Sequence, residues 1–274
     1  MNSKPFIDAI RALNPDGNKS FSSLFEDFVD LALCLLCNNP DERQIKLWEK
    51  ANRDKAFSKA FGNAMQEYGK ACEDFQDPLG DAYMELVSHG EHGQFFTPTY
   101  VCDFMAEVVG MNDDSVSDPT CGSGRMLLSA LKSARQKGKE PFLYGNDLCM
   151  ICSKMTLLNL LVNTARGEVS CGNALEQNYD GFVFFHIDRI KVGKVYVSSY
   201  WRYMAKDVDA VNVERNKWIE TMAENGIVVE SDEKVSYASP DELHPSPVTE
   251  ESVADVLVAK PKTAAIQLDL FDNV

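Results

Sequence analysis

Two acids and a pair of glycines are the residues of this sequence best suited to hold a small charged molecule. Asp118 opens the turn Asp118-Pro119-Thr120-Cys121-Gly122-Ser123-Gly124, and Asp147 follows Gly124 by 23 positions, closing the run Phe142-Leu143-Tyr144-Gly145-Asn146. Gly122 and Gly124 remove side chains that would keep a ligand away from the backbone, and a helix starting near Arg125 points unpaired N–H groups at it. Asp118 suits an ammonium better than a phosphate. Asp147 stands close to the offset at which an acid receives ribose hydroxyls in βαβ nucleoside sites. A nucleoside that carries an amino acid satisfies both acids, although a Gly-x-Gly turn alone also fits any tight strand-to-helix connection.

These residues need elements to place them. Ser115 to Asp118 reads as a short strand, Phe142 to Asn146 as a second, and Cys152 to Val162 as the helix leading to a third. Upstream, Gly93-Gln94-Phe95-Phe96-Thr97-Pro98 runs into the amphipathic stretch Val101 to Val109, with Thr97 placed to cap that helix and Pro98 to occupy its first turn. Strands and helices alternating from Gly93 to about Lys206 indicate an α/β unit.

Three segments in order, Asp77-Pro78-Leu79-Gly80-Asp81-Ala82-Tyr83, Gly93 to Pro98 and Asp118 to Gly124, resemble the modification subunit of type I restriction systems and related adenine-N6 DNA methyltransferases. The resemblance covers approximately 21–175. It implies a Rossmann-like, S-adenosylmethionine-dependent methyltransferase fold. It also implies roles: Phe95, Thr97 and Pro98, with Gln94 and Phe96 beside them, pack on the methionine part of the cofactor. Asp118, Thr120, Gly122, Ser123 and Gly124 form its glycine loop, Asp147 holds the ribose, and Leu148 stacks on the adenine ring. Gly172-Asn173-Ala174-Leu175 falls where the family carries Gly-Asp, a small residue and Leu. Asn173 replaces the acid, and its amide oxygen still accepts from the cofactor's adenine amino group.

The family's chemistry uses a tetrapeptide of Asn or Asp, two prolines and an aromatic, which binds the amino group of a flipped adenine and stacks on the base. This chain has no Pro-Pro pair, and no proline at all between Pro141 and Pro240. No catalytic residue is therefore assigned. Tyr179 to Asp188 and Lys194 to Val197 read as further strands. His186 and Asp188 share one face of the former, read as an edge or strand-end pair, solvated or hydrogen-bonded locally, with a catalytic role as the lesser alternative. The cofactor-binding half is present, and the base-binding half is truncated or rebuilt.

Around this unit the pattern divides the chain into three: residues 1–90 as a helical N-terminal domain, 91–206 as the methyltransferase-like domain, and 207–274 as a flexible acidic tail. Phe21, Leu24, Phe25, Phe28, Leu31, Ala32 and Leu35 recur at helical spacing, Asn39-Pro40 breaks the run, and Ala56 to Phe75 resumes it. A helix is expected around Val211 to Glu224. The net charge is −15, and residues 207–274 carry 15 Asp and Glu against 5 Lys and Arg. That balance disfavours tight autonomous DNA binding through phosphates, so contact with DNA is expected through a partner, in the family a specificity subunit. With 45% hydrophobic residues, no run of eighteen apolar residues and no signal-peptide pattern, the expected location is cytoplasmic, in a bacterium, with plasmid or phage origin open and no membrane contact. Cys34/Cys37 and Cys149/Cys152 have the spacing of metal knuckles but sit in apolar helical stretches, so no metal site is assigned. His89 and His92 read as solvent-facing loop residues.

The C-terminus carries a separate pattern. Gln267, Leu268, Asp269, Leu270 and Phe271, behind a polar stretch with Pro240, Pro245 and Pro247, resemble the pentapeptide by which bacterial proteins bind the sliding clamp. A terminal strand or helix docked on the protein's own body is the alternative. Two functions stay open at this stage: an adenine-N6 DNA methyltransferase completed by a partner, and a catalytically silent cofactor-binding protein brought to DNA by the clamp.

Overall fold

A computed structural model describes residues 3–14, 16–85, 95–110, 114–176 and 179–230. His89, His92, Gln94 and the pentapeptide 267–271 lie outside the described residues.

The N-terminal third is helical: α1 (Lys4–Arg11), α2 (Phe21–Leu36), α3 (Glu42–Arg53), α4 (Lys55–Ala71) and the short α5 (Pro78–Tyr83). Most starts are set by side chains that accept from orphan amides. Ser20 caps α2 through Ser23, Asp41 and Gln44 form a reciprocal box on α3, Asp54 caps α4, and Asp77 caps α5 ahead of Pro78. The aromatic stripe is core: Phe25, Phe28, Phe61 and Tyr68 are buried, and Phe28 meets Phe6 edge-on at 5.2 Å between centroids.

Beyond α6 (Thr99–Val109) come β1 (Ser115–Asp118), α7 (Arg125–Gln136), β2 (Phe142–Asp147), α8 (Met150–Val162) and β3 (Arg166–Cys171). β1, β2 and β3 are parallel, in sheet order β1-β2-β3. Both crossover helices lie on one face, since a side chain at Gly145 would meet Leu127 of α7 and Thr156 of α8 together. Burial of Leu127, Leu128 and Leu131 on α7, and of Leu157, Leu158, Leu160 and Leu161 on α8, supplies about 1.5–3 kcal/mol each toward this packing.

The sheet then changes character. β4 (Val183–Val192) pairs antiparallel with β3, β5 (Val195–Met204) returns antiparallel beside β4, and β6 (Val228–Glu230) pairs with the far half of β4. The strands expected from Tyr179 and Lys194 are thus a long hairpin, which extends the sheet antiparallel beyond β3. α2 and its exit support β5: the Asn38 amide donates to the Tyr200 carbonyl at 2.9 Å, and Asn39 exchanges hydrogen bonds with the Arg202 backbone.

Two expectations are corrected here. The packed unit does not end at 206. α9 (Val208–Ala223) places Val211, Trp218 and Met222 on Phe184, Trp201 and Tyr203, and β6 joins the sheet, so the body reaches Glu230. An acidic composition hid an apolar face at helical spacing. His186 and Asp188 are also not a solvated edge pair, because β4 lies between β3 and β5 and both side chains are fully buried. Asp188 receives a two-pronged ion pair from the buried Arg215 of α9 and a hydrogen bond from Trp201 Nε1 at 3.1 Å. His186 lies 3.6 Å from both Glu168 and Asp188, and the Tyr203 hydroxyl donates to Glu168 at 2.5 Å. This is a buried network that joins the antiparallel extension to α9.

Candidate cofactor site

The site is built where β1 and β2 end. The chain leaves β1 at Asp118, whose carboxylate accepts from the Thr120 amide at 3.1 Å. It turns through Gly122 (φ 57°) and Gly124 (φ 89°) and enters α7 at Arg125. Both glycines occupy left-handed backbone that L side chains rarely adopt. A Cβ at Gly122 would fall 2.9 Å from the Phe96 ring, and one at Gly124 would fall 3.1 Å from Thr156. The turn is tied down from behind: Thr156 donates to the Gly122 carbonyl at 2.9 Å, Asn159 to the Ser123 carbonyl at 2.9 Å, and the Cys121 amide to the Asn146 carbonyl at 2.8 Å.

Opposite the turn stands the segment before α6. Phe96 stacks on Tyr83 at 5.7 Å with an interplanar angle of 15°, and Phe95 and Thr97 are exposed. Phe95, Phe96, Thr97, Asp118, Thr120, Cys121, Gly122, Ser123, Arg125 and Met126 line one crevice. The structure therefore brings Phe95, Phe96 and Thr97 together with Asp118, Thr120, Gly122 and Ser123. Thr97 is not the cap of α6. The helix begins at Thr99, and the Pro98 carbonyl receives the Val101 and Cys102 amides. A proline, with its fixed φ, sits one place earlier than a first-turn residue.

Asp147 closes β2 beside the turn. One oxygen accepts from the Gly122 amide at 2.9 Å and the other from the Cys149 amide at 2.8 Å. A carboxylate offers about four lone-pair positions, so acceptors are left for a pair of hydroxyls. Leu148 next to it is 74% exposed, free to lie against a flat ring. Asn173 is less well placed. Its amide oxygen already accepts from the Leu175 amide at 3.1 Å and its nitrogen donates to Glu176 at 3.2 Å. Ala174 lines a separate recess with Pro119, Tyr144, Asn146 and Tyr179. The Gly172 amide does reach the Asp147 carbonyl at 3.0 Å, which keeps this segment at the same end of the sheet.

Asp118 is the carboxylate among the residues that line the crevice. Burial pushes the Asp118 carboxyl up from its ordinary value, the Thr120 amide opposes that rise, and nearby Asp147 adds to it. A cationic ligand group relieves this cost. Burial raises the Cys102 thiol to about 11, and Cys121 is also raised, chiefly by burial, which keeps these two thiols in the protonated form.

Asp77 and Asn159 form the support that sequence alone did not assign. The buried Asp77 carboxylate accepts from Ser123 Oγ at 2.5 Å, Arg125 Nε at 2.6 Å, Asn159 Nδ2 at 2.8 Å and the Gly80 amide at 2.8 Å. Asn159 in turn accepts from the Tyr68 hydroxyl at 2.8 Å. The segment Asp77 to Tyr83 was visible as a motif. Its task is to bind the helical N-terminal unit to the glycine turn.

The residues present fit a sulfonium nucleoside. The left-handed glycines open the turn, Asp118 and Asp147 supply acceptors for an ammonium and a ribose, and the aromatic segment supplies apolar contact. This defines a Rossmann-like α/β unit of the S-adenosylmethionine-dependent methyltransferase class. The sequence pattern of the N-6 DNA Methylase family matches residues 75–225, more than half of the chain, and the chain belongs to that family. Among similar proteins, the Type I restriction enzyme MjaIX methylase subunit of Methanocaldococcus jannaschii is 27% identical over 112 residues, covering 40% of this chain and 20% of that protein. The MjaVIII methylase subunit of the same organism is 25% identical over 224 residues, 77% of this chain and 36% of its own. A solved Listeria monocytogenes protein assigned to the class I S-adenosylmethionine-dependent methyltransferases aligns over 64% of this chain and 55% of its own, at 14% identity and a TM-score of 0.45. The chain thus spans only a fifth to about a third of the length of those two methylase subunits.

Proposed function

We propose that this chain is the cofactor-binding part of an adenine-N6 DNA methyltransferase of the type I modification kind, acting with partner polypeptides. S-adenosylmethionine supplies the methyl group. Phe96, Thr97, Asp118 and the glycine turn hold the methionine part, Asp147 holds the ribose, and Leu148 covers the adenine. The acceptor is the amino group of a flipped adenine. A partner contributes the tetrapeptide this sequence lacks, and a specificity subunit reads the DNA.

The observation that carries this reading is the state of β1. Asp118 ends a strand that pairs only with β2 among the described residues. α6 meets β1 where Met105, Ala106 and Val109 line a recess with Val116, Ser117 and Asp118, and it exposes Tyr100 at 75%, Phe104 at 66%, Val108 at 68% and Val109 at 72%. An apolar face next to a strand edge that has no partner among the described residues favours docking of another polypeptide. The buried His186 and Asp188 are out of reach of any substrate, which removes the side chains of this sequence that came nearest to an alternative catalytic pair. Transfer of labelled methyl to adenine in genomic DNA tests the reading. Incorporation is expected when a partner subunit is added, and its absence with every partner tried would count against an enzyme.

A second reading rests on the sequence of the tail: a silent cofactor-binding protein recruited to replicating DNA by the sliding clamp through Gln267 to Phe271. Loss of clamp co-migration in Phe271→Ala is its expected result, and binding that survives the substitution removes it.

A further inference from the structure

Arg125 is the first residue of α7, and its side chain is only 12% exposed. It lines the same crevice as Asp118, Thr97 and Gly122, where a guanidinium is at first sight the wrong group. S-adenosylmethionine brings a sulfonium and an ammonium to this crevice, and a fixed cation repels both. Two carboxylates remove the conflict. Arg125 Nε donates to Asp77 Oδ2 at 2.6 Å, and its Nη2 donates to Asp81 Oδ1. Two anions and one cation leave the group with one net negative charge.

We propose that Asp77 and Asp81, by over-neutralising Arg125 at the edge of the crevice, set its preference for a sulfonium ligand over the neutral thioether that remains after methyl transfer. The proposal rests on the cofactor assignment above and goes beyond it, because neither acid needs to touch the ligand. The two acids divide the work. Asp77 is buried and also fastens Ser123 and Asn159, so it positions the glycine turn as well as holding charge. Asp81 is half exposed, with a side-chain exposure of 47%, and apart from Arg125 it receives a hydrogen bond from Ser3 Oγ at 3.1 Å. Removing its charge therefore changes the potential in the crevice while the Asp77 network stays in place.

S-adenosylmethionine and S-adenosylhomocysteine differ at sulfur by one methyl group and one positive charge, so the ratio of their dissociation constants isolates the effect of the acids. A unit charge acting over about 10 Å in an effective dielectric of about 40 changes that ratio about fourfold. The test is calorimetric titration of the full chain with each ligand, in wild type, Asp81→Asn, Asp81→Glu and the double variant Asp81→Asn/Arg125→Gln. Asp81→Asn is expected to weaken the sulfonium ligand about fourfold relative to the thioether. Asp81→Glu is expected to keep the wild-type ratio, and the double variant to restore it. A fold-stabilising role alone would move both ligands together, so an unchanged ratio in Asp81→Asn overturns the proposal while the cofactor assignment stands. A wild-type chain that binds neither ligand overturns both.

Discussion

The Asp147 carboxylate accepts a hydrogen bond from the Gly122 amide at 2.9 Å, so the acid ending the second strand and the turn leaving the first form one unit. Its other oxygen fixes the Cys149 amide at the start of α8. The residue assigned to the ribose therefore also shapes the loop assigned to the methionine.

This double role sets the expected behaviour of Asp147→Ala. Hydrogen bonds to a charged group contribute about 1.5–3 kcal/mol each, or roughly 10- to 100-fold in affinity. S-adenosylmethionine binding measured by calorimetry should weaken at least tenfold. Unaltered affinity would refute the ribose assignment.

Gly122→Ala should act on both stability and binding. A left-handed φ of 57° costs a non-glycine residue about 1–2 kcal/mol, and the new methyl would lie 2.9 Å from Phe96, displacing the ring from its stack on Tyr83. Thermal unfolding should show that loss, and cofactor affinity should fall with it. A variant as stable and as tight-binding as wild type would show that the ring and turn do not meet as described.

The core of the sheet was partly legible in the sequence and partly not. The spacing of Ser115 to Asp118 and of Phe142 to Asn146 matched β1 and β2 nearly residue for residue, and the glycine turn marked the start of α7, because short apolar strands beside a turn leave clear periods. The turn itself was legible because its left-handed backbone favours glycine. The acids of the support were harder to see. Nothing local distinguishes Asp77, which is one cap among several, until Ser123, Arg125 and Asn159 converge on it from 46 to 82 positions away. His186 and Asp188 were misplaced for a related reason. Alternating polar residues on a strand read as solvent-facing, and the helix that buries them, with Arg215 as counter-ion, comes 27 positions later.

That buried network predicts how stability changes with pH. Burial pushes the His186 imidazole down, but the carboxylates of Asp188 and Glu168, each 3.6 Å away, outweigh it and raise the folded-state value to about 9, from 6.5. Between those values the folded chain holds a proton that the unfolded chain has lost. The stabilisation is complete below about 6.5 and disappears as pH rises through about 9, at a slope approaching about 1.4 kcal/mol per pH unit. Denaturant midpoints from pH 6 to 10 should fall across this window, and His186→Asn should flatten the fall. An identical profile in that variant would show that His186 is not the titrating group.

Removing the counter-ion is the harsher test of the same network. Arg215→Met leaves Asp188 buried without its ion pair, which should cost about 3–5 kcal/mol by chemical denaturation. A loss below about 1 kcal/mol would mean that α9 does not hold the antiparallel extension in place through this pair.

The most direct test of the central claim is a crystal structure of the full chain grown with S-adenosylmethionine. The account predicts the methionine part between Phe96 and the Gly122 to Gly124 turn, with the ribose on Asp147. A ligand seated elsewhere, or a crevice closed by the protein's own side chains at saturating cofactor, would contradict it.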